Sequence, residues 1–161
     1  MRFIPLIILL IFTGCSWLIP APKKVPSAKN DGYKLNYNSA DWKLLKQKQS
    51  DYVFQNQNGS TLVINSFCGE FQDEPLPVLA EKTFNGLDDI KNRKESPLTL
   101  SNREAFQLEA DGSLDGVTIN IKVINMRRNN CYYDFLRITP QGVTASQNQP
   151  EEMINAVEFL P

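Results

Sequence analysis

Asp111-Gly112-Ser113-Leu114-Asp115-Gly116 places side-chain oxygens at its first, third and fifth positions and a glycine at its sixth, which is how a calcium-binding loop opens. In that spacing alternate side chains can converge on one cation, while the glycine permits the sharp turn. The twelfth position, however, is Lys122 where a bidentate Glu is needed, and the residues after Gly116 alternate as a strand does. The stretch therefore reads as a solvated hairpin loop, and no metal is expected. Three carboxylate pairs, Asp73-Glu74, Asp88-Asp89 and Glu151-Glu152, raise the question of acid–base chemistry. Glycoside hydrolysis needs two carboxyl groups held at a set separation across a cleft, which sequence neighbours do not supply. The first and third pairs stand where helices should begin, and negative charge is stabilising there without any catalytic role. The chain has no His, which removes Ser-His-Asp triads, Cys-His dyads and His-based zinc sites. No catalytic residue is assigned, no cofactor is expected, and a carboxylate-based envelope hydrolase is the weakest functional alternative.

Arg127-Arg128, just before the Asn129-Asn130 turn, could meet lipid headgroups or an acidic partner, but two such charges on a turn are usually solvated. Tyr132, Tyr133 and Phe135 straddle both faces of one strand. Some of them must pack in the core, and the rest lie under a helix or form an interaction patch. The 161 residues carry a net charge of −1, so the clustered positive charge that nucleic acid requires is missing. That length suits one domain with an accessory segment.

The accessory segment is N-terminal. Arg2 is followed by an apolar run of ten residues, Phe3 to Phe12, too short to cross a bilayer core but suited to a signal peptide. The run ends in Phe12-Thr13-Gly14-Cys15, which resembles the bacterial lipobox, with Phe12 replacing the usual Leu. The resemblance implies cleavage after Gly14 and acylation (palmitate or a similar chain) of Cys15, giving a signal peptide at 1–14. The competing readings are an uncleaved anchor over Phe3 to Ile19 and plain secretion, and both still export the domain. Several acyl chains would hold the protein to a membrane with no transmembrane helix. Ser16, rather than Asp, follows the cysteine, which favours the outer over the inner membrane by similarity to the best-known sorting system. Residues 15–31, with Pro20, Pro22 and Pro26 among Ala, Lys and Ser, read as a tether. With Cys15 acylated, Cys68 and Cys131 remain as an even pair in an oxidising compartment, expected to form a structural disulfide. Two reduced, buried thiols are the alternative.

Residues 32–161 are enough for one core. Strand patterns dominate: Tyr33 to Tyr37, Trp42 to Leu45, Asp51 to Gln55, Thr61 to Phe67, Arg103 to Ala110, Val117 to Met126 and Cys131 to Ile138. Asn58-Gly59 marks a hairpin between the third and fourth. Leu76, Leu79, Ala80, Phe84 and Leu87 form one apolar stripe at helical spacing, and a second helix is expected from Pro150, burying Met153, Ile154, Val157 and Leu160. The expected architecture is α+β, an antiparallel sheet covered by helices.

The order of elements resembles the PsbP-like fold, named for the extrinsic subunit of photosystem II. The resemblance is carried by Gly32-Tyr33 opening a strand, Trp42 soon after, a hairpin, an amphipathic helix, and the aromatic strand Cys131-Tyr132-Tyr133-Asp134-Phe135-Leu136-Arg137-Ile138. A short C-terminal helix closing on Phe159 completes it. It implies an α/β/α sandwich over 32–161 and a non-catalytic adaptor or accessory role, and it assigns no functional residue. The functional expectation is a lipid-anchored, periplasm-facing envelope module with a protein partner. The alternative is a carrier of a small apolar ligand, such as a lipid, held between helix and sheet.

Overall fold

The computed structural model describes residues 32–36, 42–68, 74–143 and 154–160. The expected signal peptide, Cys15 and the tether lie outside these residues, as do Tyr37, Asp73 and residues 150–153. The elements run β1 (Tyr33–Leu35), β2 (Trp42–Leu45), β3 (Tyr52–Asn56), β4 (Thr61–Cys68), α1 (Leu76–Lys82), β5 (Asp88–Leu100), β6 (Arg103–Leu114), β7 (Val117–Arg128), β8 (Cys131–Pro140) and β9 (Val157–Phe159). Seven strands form one antiparallel sheet in the order β2-β3-β4-β8-β7-β6-β5, while β1 and β9 pair as a separate ribbon.

The expected helix-covered α+β sandwich is not what forms. The molecule is mostly antiparallel sheet, and among the described residues one helix, α1, packs on it. One segment read as helix and one left without an assignment account for the difference. Ile154 and Asn155 are helical as expected, but Val157 and Phe159 alternate, and pairing with Leu35 and Tyr33 makes Val157–Phe159 a strand where the helix was expected to continue. Residues 88–100 show no apolar alternation in their first half because β5 is the exposed edge of the sheet. Lys91, Arg93, Lys94 and Pro97, with register breaks at positive-φ Asp89 and Asn92, are the features that keep such an edge from pairing with other chains.

Tight turns build the rest. Ser101-Asn102, Asp115-Gly116 and Asn129-Asn130 each have positive φ at both residues and link β5 through β8 into a meander. Such two-residue turns match the twist of the flanking strands. At Asn58-Gly59 the hairpin forms as expected, held by the Asn56 side chain, whose Oδ1 accepts from the backbone N–H groups of Asn58 (3.0 Å) and Ser60 (2.9 Å).

The two faces of the sheet carry separate cores. On one, Leu62, Ile64, Ile124, Met126, Tyr133 and Phe135 are fully buried beneath the β1–β9 ribbon, Trp42 and Ile154. Tyr33 meets Tyr133 edge-on at 5.7 Å, and Tyr133 meets Phe159 edge-on at 5.1 Å. The Tyr33 hydroxyl donates to Asp51 Oδ2 at 3.0 Å, and Ser66 Oγ donates to the same oxygen at 2.5 Å. On the other face Ala80 and Phe84 pack against Leu108, Ala110, Ile121 and Val123. The helix ends at Lys82, earlier than the apolar stripe, and a turn through Gly86 delivers Phe84 and Leu87 to the sheet. Glu74 pairs with Lys82 at 2.6 Å across this helix.

One polar row interrupts the helix-side face. Asn65, Asp134 and Asn125 stand side by side on β4, β8 and β7. Asn125 Nδ2 donates to Asp134 Oδ1 at 2.5 Å, whereas Asn65 Oδ1 and Asn125 Oδ1 have no partner. Burial pushes the Asp134 carboxyl up to about 6, against the opposing effect of hydrogen bonds from Tyr132 and Asn125. A protonated Asp134 gains a donor that either unpartnered amide oxygen can accept.

Cys68 and Cys131 are register partners at the ends of β4 and β8, with Cα atoms 4.2 Å apart and the sulfurs bonded. A bond spanning 63 residues restricts the unfolded chain by about 2–4 kcal/mol. The Cys68→Ala/Cys131→Ala variant should lose stability of that order in urea titration, and an unchanged midpoint would show the bond to be dispensable. Asp134 makes a second prediction. Its pKa is higher folded than unfolded, so its contribution is full below about pH 4 and is lost as pH rises through about 6. Asp134→Asn should therefore stabilise the protein at pH 8, by on the order of 2 kcal/mol, and give no gain at pH 4. Equal effects at both pH values would refute this.

Candidate functional site: a polar cleft on the sheet

The face that carries the aromatic core changes character along β6, β7 and β8. The alternation that buries Ile124, Met126, Tyr133 and Phe135 continues into Asn120 and Lys122 on β7 and into Arg137 and Thr139 on β8. Two rows result, Glu109–Lys122–Arg137 and Asp111–Asn120–Thr139. All of these but the buried Lys122 line a cleft of about 610 Å³, walled by Lys91 and Asn92 of β5 and by Pro140 to Val143 at the end of β8. That volume lies within the roughly 300–1,000 Å³ of small-molecule sites.

The charges in the floor compensate one another. Lys122 stands between Glu109 and Arg137 in register, and an Arg137 terminal nitrogen lies 3.6 Å from Glu109 Oε1. The same Arg137 nitrogen donates to Asn120 Oδ1 at 3.1 Å. Asp111 accepts from Asn92 Nδ2 at 2.7 Å and from Asn120 Nδ2 at 3.0 Å, and these two bonds hold its carboxyl below the usual range. Lys91 is the register partner of Asp111 across β5 and β6. Arg137 and Lys122 are buried, and burying a charge is costly unless it is paired, as Arg137 is by Glu109. The arrangement is suited to holding polar atoms in fixed directions.

The residues singled out from sequence are dispersed. Asp111 and Ser113 belong to β6, and only Asp115 and Gly116 form the turn, so the hairpin loop expected over 111–116 is strand and a two-residue turn. Asp111 is nonetheless part of the cleft, bound to amides, and the described residues hold no cluster of Cys, Asp and Glu able to take a metal ion. Asp88 and Asp89 open the exposed edge strand, and Glu74 is engaged by Lys82, while Asp73, Glu151 and Glu152 lie outside the described residues. Arg127 and Arg128 are half-buried rather than solvated, and Arg128 lies 4.6 Å over the Phe159 ring. Tyr133 and Phe135 are core residues, while Tyr132, on the opposite face, stacks against half-exposed Phe67 at 6.1 Å. Cys15 lies outside the described residues.

Sequence reasoning passed over Asn120, Lys122, Arg137 and Thr139. Thr118, Asn120 and Lys122 alternate with Ile119, Ile121 and Val123, which reads as the wet face of a strand. A signal was nevertheless present in β8, where Cys131, Tyr133 and Phe135 give way at the same phase to Arg137 and Thr139.

No protein family and no curated protein of related sequence matches the chain. Solved structures do. LpqN of Mycobacterium tuberculosis, described as involved in cell envelope biogenesis, superimposes with a TM-score of 0.57 over 83% of this chain and 88% of its own, at 15% identity. A Bacteroides thetaiotaomicron protein gives 0.57 and 15% identity over 80% of this chain, which spans 45% of that protein. Cyanobacterial PsbP from Synechocystis overlaps more loosely, with a TM-score of 0.48 and 11% identity over 81% of this chain and 88% of its own. The chain thus shares its fold with LpqN, and at 15% identity fold is what that likeness establishes.

Proposed function

We propose that this protein is a non-catalytic accessory module of a bacterial cell envelope, held by lipid on Cys15, that joins an envelope protein and carries a separate binding site in its polar cleft. The observation that carries this reading is the fold shared with LpqN over most of both chains, because that protein is described as acting in cell envelope biogenesis. The lipobox-like Phe12-Thr13-Gly14-Cys15 and the Cys68–Cys131 bond fit an exported protein. The cleft fits binding, since its carboxylates are engaged by cations and amides rather than poised for proton transfer. The helix–sheet space is less suited to a ligand, being filled by Ala80, Phe84, Leu108, Ala110, Ile121 and Val123.

The test is affinity purification of the tagged full chain from detergent-solubilised envelopes, beside a Cys15→Ala control. An intact mass that begins at acylated Cys15, with a stoichiometric envelope protein lost in the control, is the expected result. Recovery of unprocessed chain would overturn the lipid anchor. Acylated protein that carries only a small apolar molecule would replace the accessory module with a carrier.

A further inference from the structure

We infer that the cleft takes an uncharged, hydroxyl-rich ligand, a short saccharide, with Thr139 as one of its contacts. The inference rests on reading the cleft as a binding site and adds the chemical class of what enters it.

Thr139 provides the first argument. Its side chain lines the cleft, is only 2% exposed, and its Oγ1 has no hydrogen-bond partner. A buried hydroxyl left unmatched is destabilising, so such a group calls for a partner. Valine would fill the same space at this β-strand position without that cost.

The charges provide the second. An anionic ligand would meet Glu109 and Asp111, and Asp111 is held ionised by Asn92 and Asn120. A cationic ligand would meet Lys91 and Arg137. Either ion would have to displace pairings already made inside the cleft, at a desolvation cost. A hydroxyl, by contrast, is both donor and acceptor, and it can bridge neighbouring donors and acceptors without changing net charge. Asp111, Asn120, Arg137 and Thr139 present carboxylate, amide, guanidinium and hydroxyl groups side by side, the alternation that adjacent sugar hydroxyls would match.

Calorimetric titration of the detergent-solubilised full chain tests this with maltotriose, cellotriose and triacetylchitotriose, with inorganic phosphate and the dipeptide Ala-Ala as charged comparisons. At least one trisaccharide should saturate with a Kd of about 1 mM or tighter. Thr139→Val should weaken that binding about tenfold, Thr139→Ser should keep it, and Thr139→Val should melt no lower than the parent. Lys91→Ala, on the exposed rim, reports on the same site without disturbing the core and should also weaken binding. The inference is overturned if no trisaccharide saturates, if phosphate or Ala-Ala binds more tightly, or if either Thr139→Val or Lys91→Ala binds sugar as the parent does. Acylation of Cys15 and partner recovery are measured separately, so a failed titration removes the ligand class while leaving the envelope role standing.

Discussion

The closure of the β1–β9 ribbon over one half of one sheet face is the constraint on which the rest of the structure depends. Three short register pairs could not hold this ribbon in place alone. It is held because Tyr33 and Phe159 pack edge-on against Tyr133, and because Asp51 ties the Tyr33 hydroxyl to Ser66 on the sheet. Arg128 over the Phe159 ring extends the clamp to β7. The ribbon is shorter than the strands beneath it, so it covers the apolar rows and leaves the polar rows of β6, β7 and β8 as a cleft. Core and cleft are thus two ends of one surface, divided between the row of Ile124 and Phe135 and the row of Lys122 and Arg137.

That division shows how much of the molecule was legible. Strands with local alternation, or bounded by Asn and Gly turns, could be read directly, as β3, β4, β7 and β8 were. Elements whose partners are distant in sequence could not. β9 becomes a strand because β1 is there to receive it, and β5 because β6 presents an edge, while neither has a local pattern that excludes other structures. The cleft was hidden for a related reason. Asn120 and Lys122 look solvent-facing in one strand, and only the register with Glu109, Asp111, Arg137 and Thr139 shows them enclosed. Asp111 was read as part of a solvated hairpin loop, but it lies in β6 and accepts from two amides.

The two faces treat buried polarity differently. On the cleft face, ions and amides are matched into a net in which the buried Arg137 meets Glu109 and Asn120. On the helix face, burial makes the Asp134 carboxyl hold its proton more tightly, despite the hydrogen bonds it accepts from Asn125 and Tyr132. Both are consequences of polar rows in a sheet whose two sides are largely covered.

The pairing of β1 with β9 also sets an order of events when the chain is made. Asn36 and Glu158, which meet across this ribbon, are 122 residues apart. The β5–β8 meander, joined by two-residue turns, can zip as soon as each hairpin emerges, whereas β1 must wait for nearly the whole domain. Until β9 arrives, Tyr133 and Phe135 have no ribbon above them. A chain delivered across a membrane from its N-terminus would therefore present its first strand long before the last one completes the core, and that interval is when aggregation, or the help of a chaperone, would decide its fate.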